Sequence, residues 1–67
     1  MGTDIQYIVS FVRVDGQPDE NYVYWQKEDA EHHMSLFAND DSGLYKRIEL
    51  LLWDKNKAMV LKKLQFA

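Results

Sequence analysis

The hydrophobic residues of this sequence follow a helical spacing in one short stretch only. Ala30, Met34 and Phe37 recur at intervals of four and three positions, which is the repeat of a single helix face. Acidic residues open this stretch, where the helix dipole favours negative charge, and an asparagine suited to a left-handed C-terminus closes it. We predict one helix over residues 27–39, so the other ordered segments must form a sheet.

Four segments outside this helix are rich in β-branched and aromatic residues, as strands are. The turn sequence DGQPD separates the first two segments, and DKNK separates the last two. We expect Asn56 to take a left-handed conformation in the second turn. The predicted strands cover residues 5–14, 21–25, 44–53 and 58–66.

Chain direction then predicts the order of the strands in the sheet. A hairpin reverses the chain, and the helix returns it to the end where the second strand began. The third strand therefore runs parallel to the second, and an all-antiparallel sheet requires it to lie beside the first. We predict an α+β fold, β-β-α-β-β, with a four-stranded antiparallel sheet in the order 2-1-3-4 and one helix packed on one face. This fold forms a single small domain over residues 1–67.

Apolar side chains occupy both faces of the predicted strands. Four strands make a sheet about 19 Å wide, whereas a helix is about 10 Å across, so one face stays uncovered. That face should be polar in a monomer. In the third strand, however, Leu50 and Leu52 point to one face while Leu51 and Trp53 point to the other, so both faces carry apolar side chains. The pattern predicts a homodimer that forms through the open sheet face.

A symmetric turn in the C-terminal hairpin predicts which side chains form this interface. The expected pairs are Trp53 with Ala58, Leu51 with Val60, Glu49 with Lys62 and Tyr45 with Phe66 on the open side, and Leu52 with Met59 and Leu50 with Leu61 on the helix side. A bulge would shift this register and exchange the faces. The predicted interface contains Tyr45, Leu51, Trp53, Val60, Leu64 and Phe66, together with whichever of Tyr24 and Trp25 lies outward.

Two adjacent histidines are the strongest candidates for metal ligands. Neighbouring helix residues point about 100° apart, so His32 and His33 are poorly placed to share an ion. The four-residue spacing that metal sites use gives only Glu28 with His32 and Asp29 with His33. Two ligands on an exposed helix bind a metal ion weakly at best, so we predict no metal site and no cofactor. No nucleophile accompanies these pairs, so we predict no catalytic residues and expect that the protein is not an enzyme.

The charges divide the chain into an acidic and a basic part. Residues 1–43 hold nine acidic and two basic side chains, a net charge of −7, whereas residues 44–67 hold six basic and two acidic ones, a net charge of +4. One alternative function is binding of single-stranded nucleic acid by the basic and aromatic C-terminal hairpin, through Lys46, Arg47, Lys62 and Lys63. Another is an acidic surface that mimics nucleic acid and inhibits a protein that binds DNA or RNA.

The preferred function is a small, non-catalytic protein-interaction or regulatory module with an unidentified protein partner. The chain has no cysteine and no apolar segment of about 18 residues, so we expect a cytoplasmic protein without membrane contact. Short chains without cysteine are common in phages and other mobile elements, which makes such an origin a further hypothesis.

Overall fold

A computed structural model describes residues 5–66 of the protein. Every neighbouring pair of strands is antiparallel, and the sheet has the order β2-β1-β3-β4. The predicted α+β fold, its β-β-α-β-β succession and its strand order are therefore confirmed. The predicted domain also includes residues 1–4 and 67, which lie outside the described residues. The elements are β1 (Ile5–Arg13), β2 (Glu20–Tyr24), α1 (Lys27–Ser35), β3 (Tyr45–Asp54) and β4 (Lys57–Gln65).

The helix begins at the predicted residue but is shorter than expected. It ends at Ser35, because the Leu36 amide is shared between the His32 and His33 carbonyls and the hydrogen bonds beyond Leu36 span three residues instead of four. The Phe37 amide donates to the Met34 carbonyl at 3.0 Å, and the Asp40 amide donates to the Phe37 carbonyl at 3.1 Å. These tight turns keep Phe37 packed against the core although it lies outside α1.

The core lies between α1 and one side of the sheet, which we call the helix face. Helix α1 packs over β1, β2 and β3, and within residues 5–66 it makes no close approach to β4. Because β1 and β3 are the central strands, their side chains receive most of this cover. The buried apolar residues are Val9 and Phe11 from β1, Ala30 and Met34 from α1, and Ile48 and Leu50 from β3.

Two bulges set which side chains of the C-terminal hairpin lie on the helix face. Between β1 and β3, Arg47 is opposite Val12 and Tyr45 is opposite Arg13, so Lys46 is an extra residue. Between β3 and β4, the register passes from Lys62 directly to Val60, so Leu61 is a second extra residue. Each bulge moves the residues beyond it to the other face of the sheet.

The register predicted for the hairpin holds only up to the second bulge. The pairs of Trp53 with Ala58, Leu51 with Val60 and Leu52 with Met59 are confirmed. The three pairs predicted beyond the bulge are wrong, because Leu61 lengthens β4 by one position. The structure instead pairs Leu50 with Lys62 and Glu49 with Lys63, and bonds the Phe66 amide to the Lys46 carbonyl at 3.0 Å.

The turn between β3 and β4 also differs from the prediction in one residue. Asp54 pairs with Lys57, which leaves Lys55 and Asn56 as a two-residue loop. Lys55, and not Asn56, takes the left-handed conformation, with φ of 56°. Both common two-residue hairpin turns need positive φ at their first position, so the position in the loop outweighs the preference of asparagine.

Two leucines of the hairpin test the location of the core. Leu50→Ala removes a fully buried side chain beneath α1 and should lower the free energy of unfolding by about 2–5 kcal/mol. Leu61→Ala makes the same chemical change at the bulge, where the side chain is 38% exposed, and should cost much less. Urea unfolding followed by circular dichroism measures both values. Equal losses would contradict a core restricted to the strands beneath α1.

The loop between β1 and β2 is organised chiefly by the ion pair of Arg13 with Asp15, while Arg13 also lies 3.5 Å from Glu20. The Arg13 guanidinium donates to both carboxylate oxygens of Asp15, at 3.0 and 2.7 Å, and the Gln17 amide donates to Asp15 at 3.1 Å. The hydrogen bond from Arg13 is the main reason that the pKa of Asp15 falls to about 2, from an ordinary value of 3.8. The ionised carboxylate therefore stabilises the folded loop.

The ionisation of Asp15 should make the free energy of unfolding depend on pH. Because its folded pKa is lowered, its contribution is present above pH 4 and is lost as the pH falls from about 4 towards 2. Asp15→Asn should therefore be less stable than the wild type at pH 6, and the difference should shrink steadily as the pH falls towards 2. Urea unfolding across this range tests the expectation, with Asp19→Asn in the same loop as the control for removing one negative charge. A wild-type advantage that is as large at pH 2 as at pH 6 would contradict it.

Candidate functional site

The side of the sheet opposite α1, which we call the open face, is not covered by any element within residues 5–66. Side chains that alternate along a strand, and those directly opposite on neighbouring strands, share one face. The register therefore defines the members of this face. They are Asn21 and Val23 from β2, Gln6, Ile8, Ser10 and Val12 from β1, Arg47, Glu49, Leu51 and Trp53 from β3, and Ala58, Val60, Lys63 and Gln65 from β4.

Four of these side chains form a continuous apolar row across the whole sheet. Val23 is opposite Ile8, Ile8 is opposite Leu51, and Leu51 is opposite Val60. We call these four residues the apolar row. Its two ends are the most exposed, with Val23 at 54% and Val60 at 51%. A row of this kind is typical of a strand layer that packs against a second layer.

Two tryptophans extend the apolar surface towards the β3–β4 turn. Trp53 lies between Gln6 and Ala58 in the next row of the open face and is 40% exposed. Trp25 follows the last residue of β2, where the chain bends towards α1, and Val23, two residues before it, lies on the open face. It is 66% exposed. Apart from Gln6, the half of the open face nearest the turn is therefore aliphatic and aromatic.

The other half of the open face is polar. Ser10 and Glu49 are opposite each other at its centre, with Asn21 and Lys63 on the two edge strands. Arg47 Nε lies 3.5 Å from Glu49 Oε2, so these two charges pair along β3. Ser10 is only 5% exposed even though no element covers this face, because its larger neighbours surround it. The open face thus changes from apolar to polar along the strand direction.

The structure divides the predicted interface residues between the two faces. Leu51, Trp53 and Val60 lie together on the open face, as the sequence predicts. The prediction that Tyr45, Leu64 and Phe66 lie beside them is wrong. These three side chains pack against the core on the helix face, because the bulges at Lys46 and Leu61 reverse the alternation.

Tyr24 lies on the helix face, so Trp25 is the outward member of that pair. The Tyr24 hydroxyl is 2.7 Å from His33 Nδ1, and the two rings pack edge to face at 5.7 Å. His33 also contacts Phe11, with ring centroids 5.2 Å apart. These contacts account for both Tyr24 and His33 as structural residues of an aromatic cluster beneath and beside α1.

Two members of the apolar row, Ile8 and Val23, are absent from the predicted interface. Their positions in the sequence indicate the face correctly, because Val23 alternates with Tyr24 and shares a side with Trp25. The register between β1 and β2 was needed to place Ile8 between Val23 and Leu51. Alternation along β2 thus indicates the face of Val23, whereas the position of Ile8 beside it depends on how β1 and β2 pair.

The four basic residues of the nucleic-acid hypothesis do not form one surface. Arg47 and Lys63 lie on the open face, whereas Lys62 is opposite Leu50 on the helix face. Lys46 is the extra residue of the first bulge. Arg47 is also paired with Glu49. The described part of the chain therefore offers no continuous basic groove along which a nucleic-acid backbone would run.

Residues 5–66 contain neither a candidate metal site nor a candidate membrane-spanning helix. His32 is exposed, and its carbonyl accepts a hydrogen bond from the Ser35 hydroxyl at 2.7 Å. No group of three or more side chains suited to a metal ion occurs among residues 5–66. Over the same residues, no helix has the length and hydrophobicity needed to cross a membrane.

Comparison of the chain with protein-family models, with curated proteins and with solved structures found no match.

The hydrogen bond between Tyr24 and His33 should stabilise the fold if both are structural residues. Tyr24→Phe should lower the free energy of unfolding by about 1 kcal/mol, because a part-buried hydrogen bond is lost. Tyr22→Phe removes a hydroxyl from the same face of β2, where it makes only a 3.4 Å exposed contact with Glu20, and should cost less. Urea unfolding gives both values. A larger loss for Tyr22→Phe would contradict the assignment.

Proposed function

We propose that this protein is a small, non-catalytic interaction module that self-associates through the open face of its sheet. The observation that supports this proposal best is the apolar row, which crosses all four strands on the face that α1 leaves uncovered. Exposed apolar patches of this kind mark interaction sites in soluble proteins. We propose a cytoplasmic location, because a chain without cysteine forms no disulfides and therefore does not need an oxidising compartment.

The small core supports the same proposal. Six apolar residues are buried within the described part of the chain, and the sequence has no cysteine from which a disulfide could form. A single core of this size rarely supplies more than about 3–5 kcal/mol. Each 100 Å² of apolar surface that a partner covers contributes about 2.5 kcal/mol before the cost of association. A second layer on the open face would therefore stabilise the fold substantially.

The edges of the sheet are poorly suited to self-association. Strand β4 carries Lys57, Lys62 and Lys63 and is interrupted by the bulge at Leu61, and both features discourage pairing between edge strands. Strand β2, at the other edge, is only five residues long. The open face, by contrast, combines apolar area with a polar border, which is the arrangement found in specific interfaces.

Adjacent residues on β4 allow a matched test of the proposal. Val60 is on the open face and Met59 is on the helix face beyond the reach of α1, and they are 51% and 60% exposed. We expect the wild type to be a dimer by light scattering on a sizing column. Val60→Glu should weaken the dimer at least tenfold because it places a charge within the apolar contact. Met59→Glu should leave the dimer intact.

A folded wild-type monomer at micromolar concentration would refute self-association. A dimer that Met59→Glu disrupts and Val60→Glu leaves unchanged would place the contact on the helix side of β4 and would refute the role of the open face. Circular dichroism of both variants checks that the substituted chains remain folded. Both positions are exposed on an edge strand, so the monomer fold should tolerate either change.

A further inference from the structure

We infer that the second copy packs on the open face about a two-fold axis that runs parallel to the strands between β1 and β3. This inference rests on the proposed self-association and adds its geometry. Rotation about such an axis places β1 on β3 of the second copy, and β2 on β4 of the second copy. The ends of the two sheets coincide, so the apolar half of one face meets the apolar half of the other.

The apolar row matches itself under this rotation. Val23 and Val60 occupy the two edge positions of the row, and Ile8 and Leu51 occupy the two central ones. The axis therefore brings Ile8 over Leu51 of the second copy, and Val23 over Val60 of the second copy. Each aliphatic side chain meets another aliphatic side chain, and every contact occurs twice, as a closed dimer requires.

Side-chain size is complementary in the row nearest the turn. Trp53 faces Gln6 of the second copy, and the exposed Trp25 falls over Ala58 of the second copy. A large ring thus lies above the smallest side chain of its row at each outer position. Aligned sheets pack about 10 Å apart with their side chains interdigitated, which such pairing of large with small residues allows.

The polar half is compatible with the same axis. Glu49 faces Ser10 of the second copy, whose hydroxyl is a suitable donor to the carboxylate. Lys63 faces Asn21 of the second copy, and Arg47 faces Val12 of the second copy. The axis therefore opposes no two like charges among the described residues of the open face. Each charge also lies in the half of the interface furthest from the tryptophans.

A two-fold axis perpendicular to the strands fits less well. If it passes through the apolar row, it places Trp53 over Glu49 of the second copy and Ala58 over Lys63 of the second copy. It also leaves the row of Val12 and Arg47 outside the contact. Trp53 and Ala58 would then meet charged side chains, whereas the parallel axis opposes an apolar and a charged side chain only in the outermost row, where Arg47 faces Val12. One row of four would also bury nothing.

The contact area also favours the parallel axis. Four rows of side chains on β1, β3 and β4 and three on β2 cover about 490 Å² on each copy, or about 1,000 Å² in total. This value lies close to the lower size expected of a specific interface, about 1,000 Å². The perpendicular axis overlaps three rows and would bury about a fifth less, which falls below that size.

Cysteine cross-linking distinguishes the two axes, because the chain has no cysteine of its own. Val23 and Val60 of one copy are three strand spacings apart, about 14 Å, which is too far for a disulfide within the chain. We would treat dilute Val23→Cys/Val60→Cys with a short bismaleimide, because Cα atoms about 10 Å apart across two packed sheets are too far for a disulfide, and quantify the covalent dimer on a denaturing gel. Val23→Cys/Met59→Cys is the control, because it has the same number of thiols but one of them lies on the helix face.

We expect Val23→Cys/Val60→Cys to form at least ten times more covalent dimer than the control or either single-cysteine variant. Strong cross-linking of Val60→Cys alone would overturn the parallel axis, because only the perpendicular axis brings the two copies of Val60 together. No cross-link in a protein that light scattering shows to be a dimer would also overturn it, while self-association would stand. A monomeric wild type would overturn both proposals.

Discussion

The structure depends on a mismatch between one short helix and a four-stranded sheet. Helix α1 has nine residues, about 13 Å in length, and it lies over β1, β2 and β3. The central strands each extend for nine or ten residues, about 30 Å. A helix of this size covers part of one face. The fold therefore buries a compact core on β1 and β3. Most of β4 and the entire open face are left in contact with solvent, unless a second layer covers them.

The two bulges adapt the C-terminal hairpin to this limited cover. Without the extra residues Lys46 and Leu61, strict alternation would direct Tyr45, Leu64 and Phe66 to the open face. The bulges turn all three towards the core and leave Lys63 on the open face instead. The helix face gains three large apolar side chains, and the open face keeps a smaller apolar area bordered by charges. The hairpin thus separates its residues into a core and an uncovered, partly apolar surface.

Polarity changes along the open face in the strand direction, and this change restricts how a partner can bind. An evenly apolar face would accept another sheet in many orientations, as poorly specified β surfaces do. Here the tryptophans lie near the β3–β4 turn, while Glu49 and its neighbours lie towards the other end. The apolar half of one copy contacts the apolar half of the other, and polar contacts polar, only when the β3–β4 turns of the two copies lie at the same end of the dimer. Specificity in the proposed dimer would therefore come from the position of the charges, and most of the affinity from the apolar row.

The sequence by itself determined the element order, the strand order and the presence of an uncovered apolar face. These properties follow from local periodicity, chain direction and the width of one helix, none of which depends on distant contacts. Only the tertiary structure decided which side chains occupy each face beyond Lys46 and Leu61, and that Tyr24 belongs to the core while Trp25 lies outward. A bulge changes the alternation by one residue and has no distinct pattern in the sequence. Its position is decided by how well Tyr45, Leu64 and Phe66 pack around Phe11 and α1, and that packing forms only when the strands are assembled.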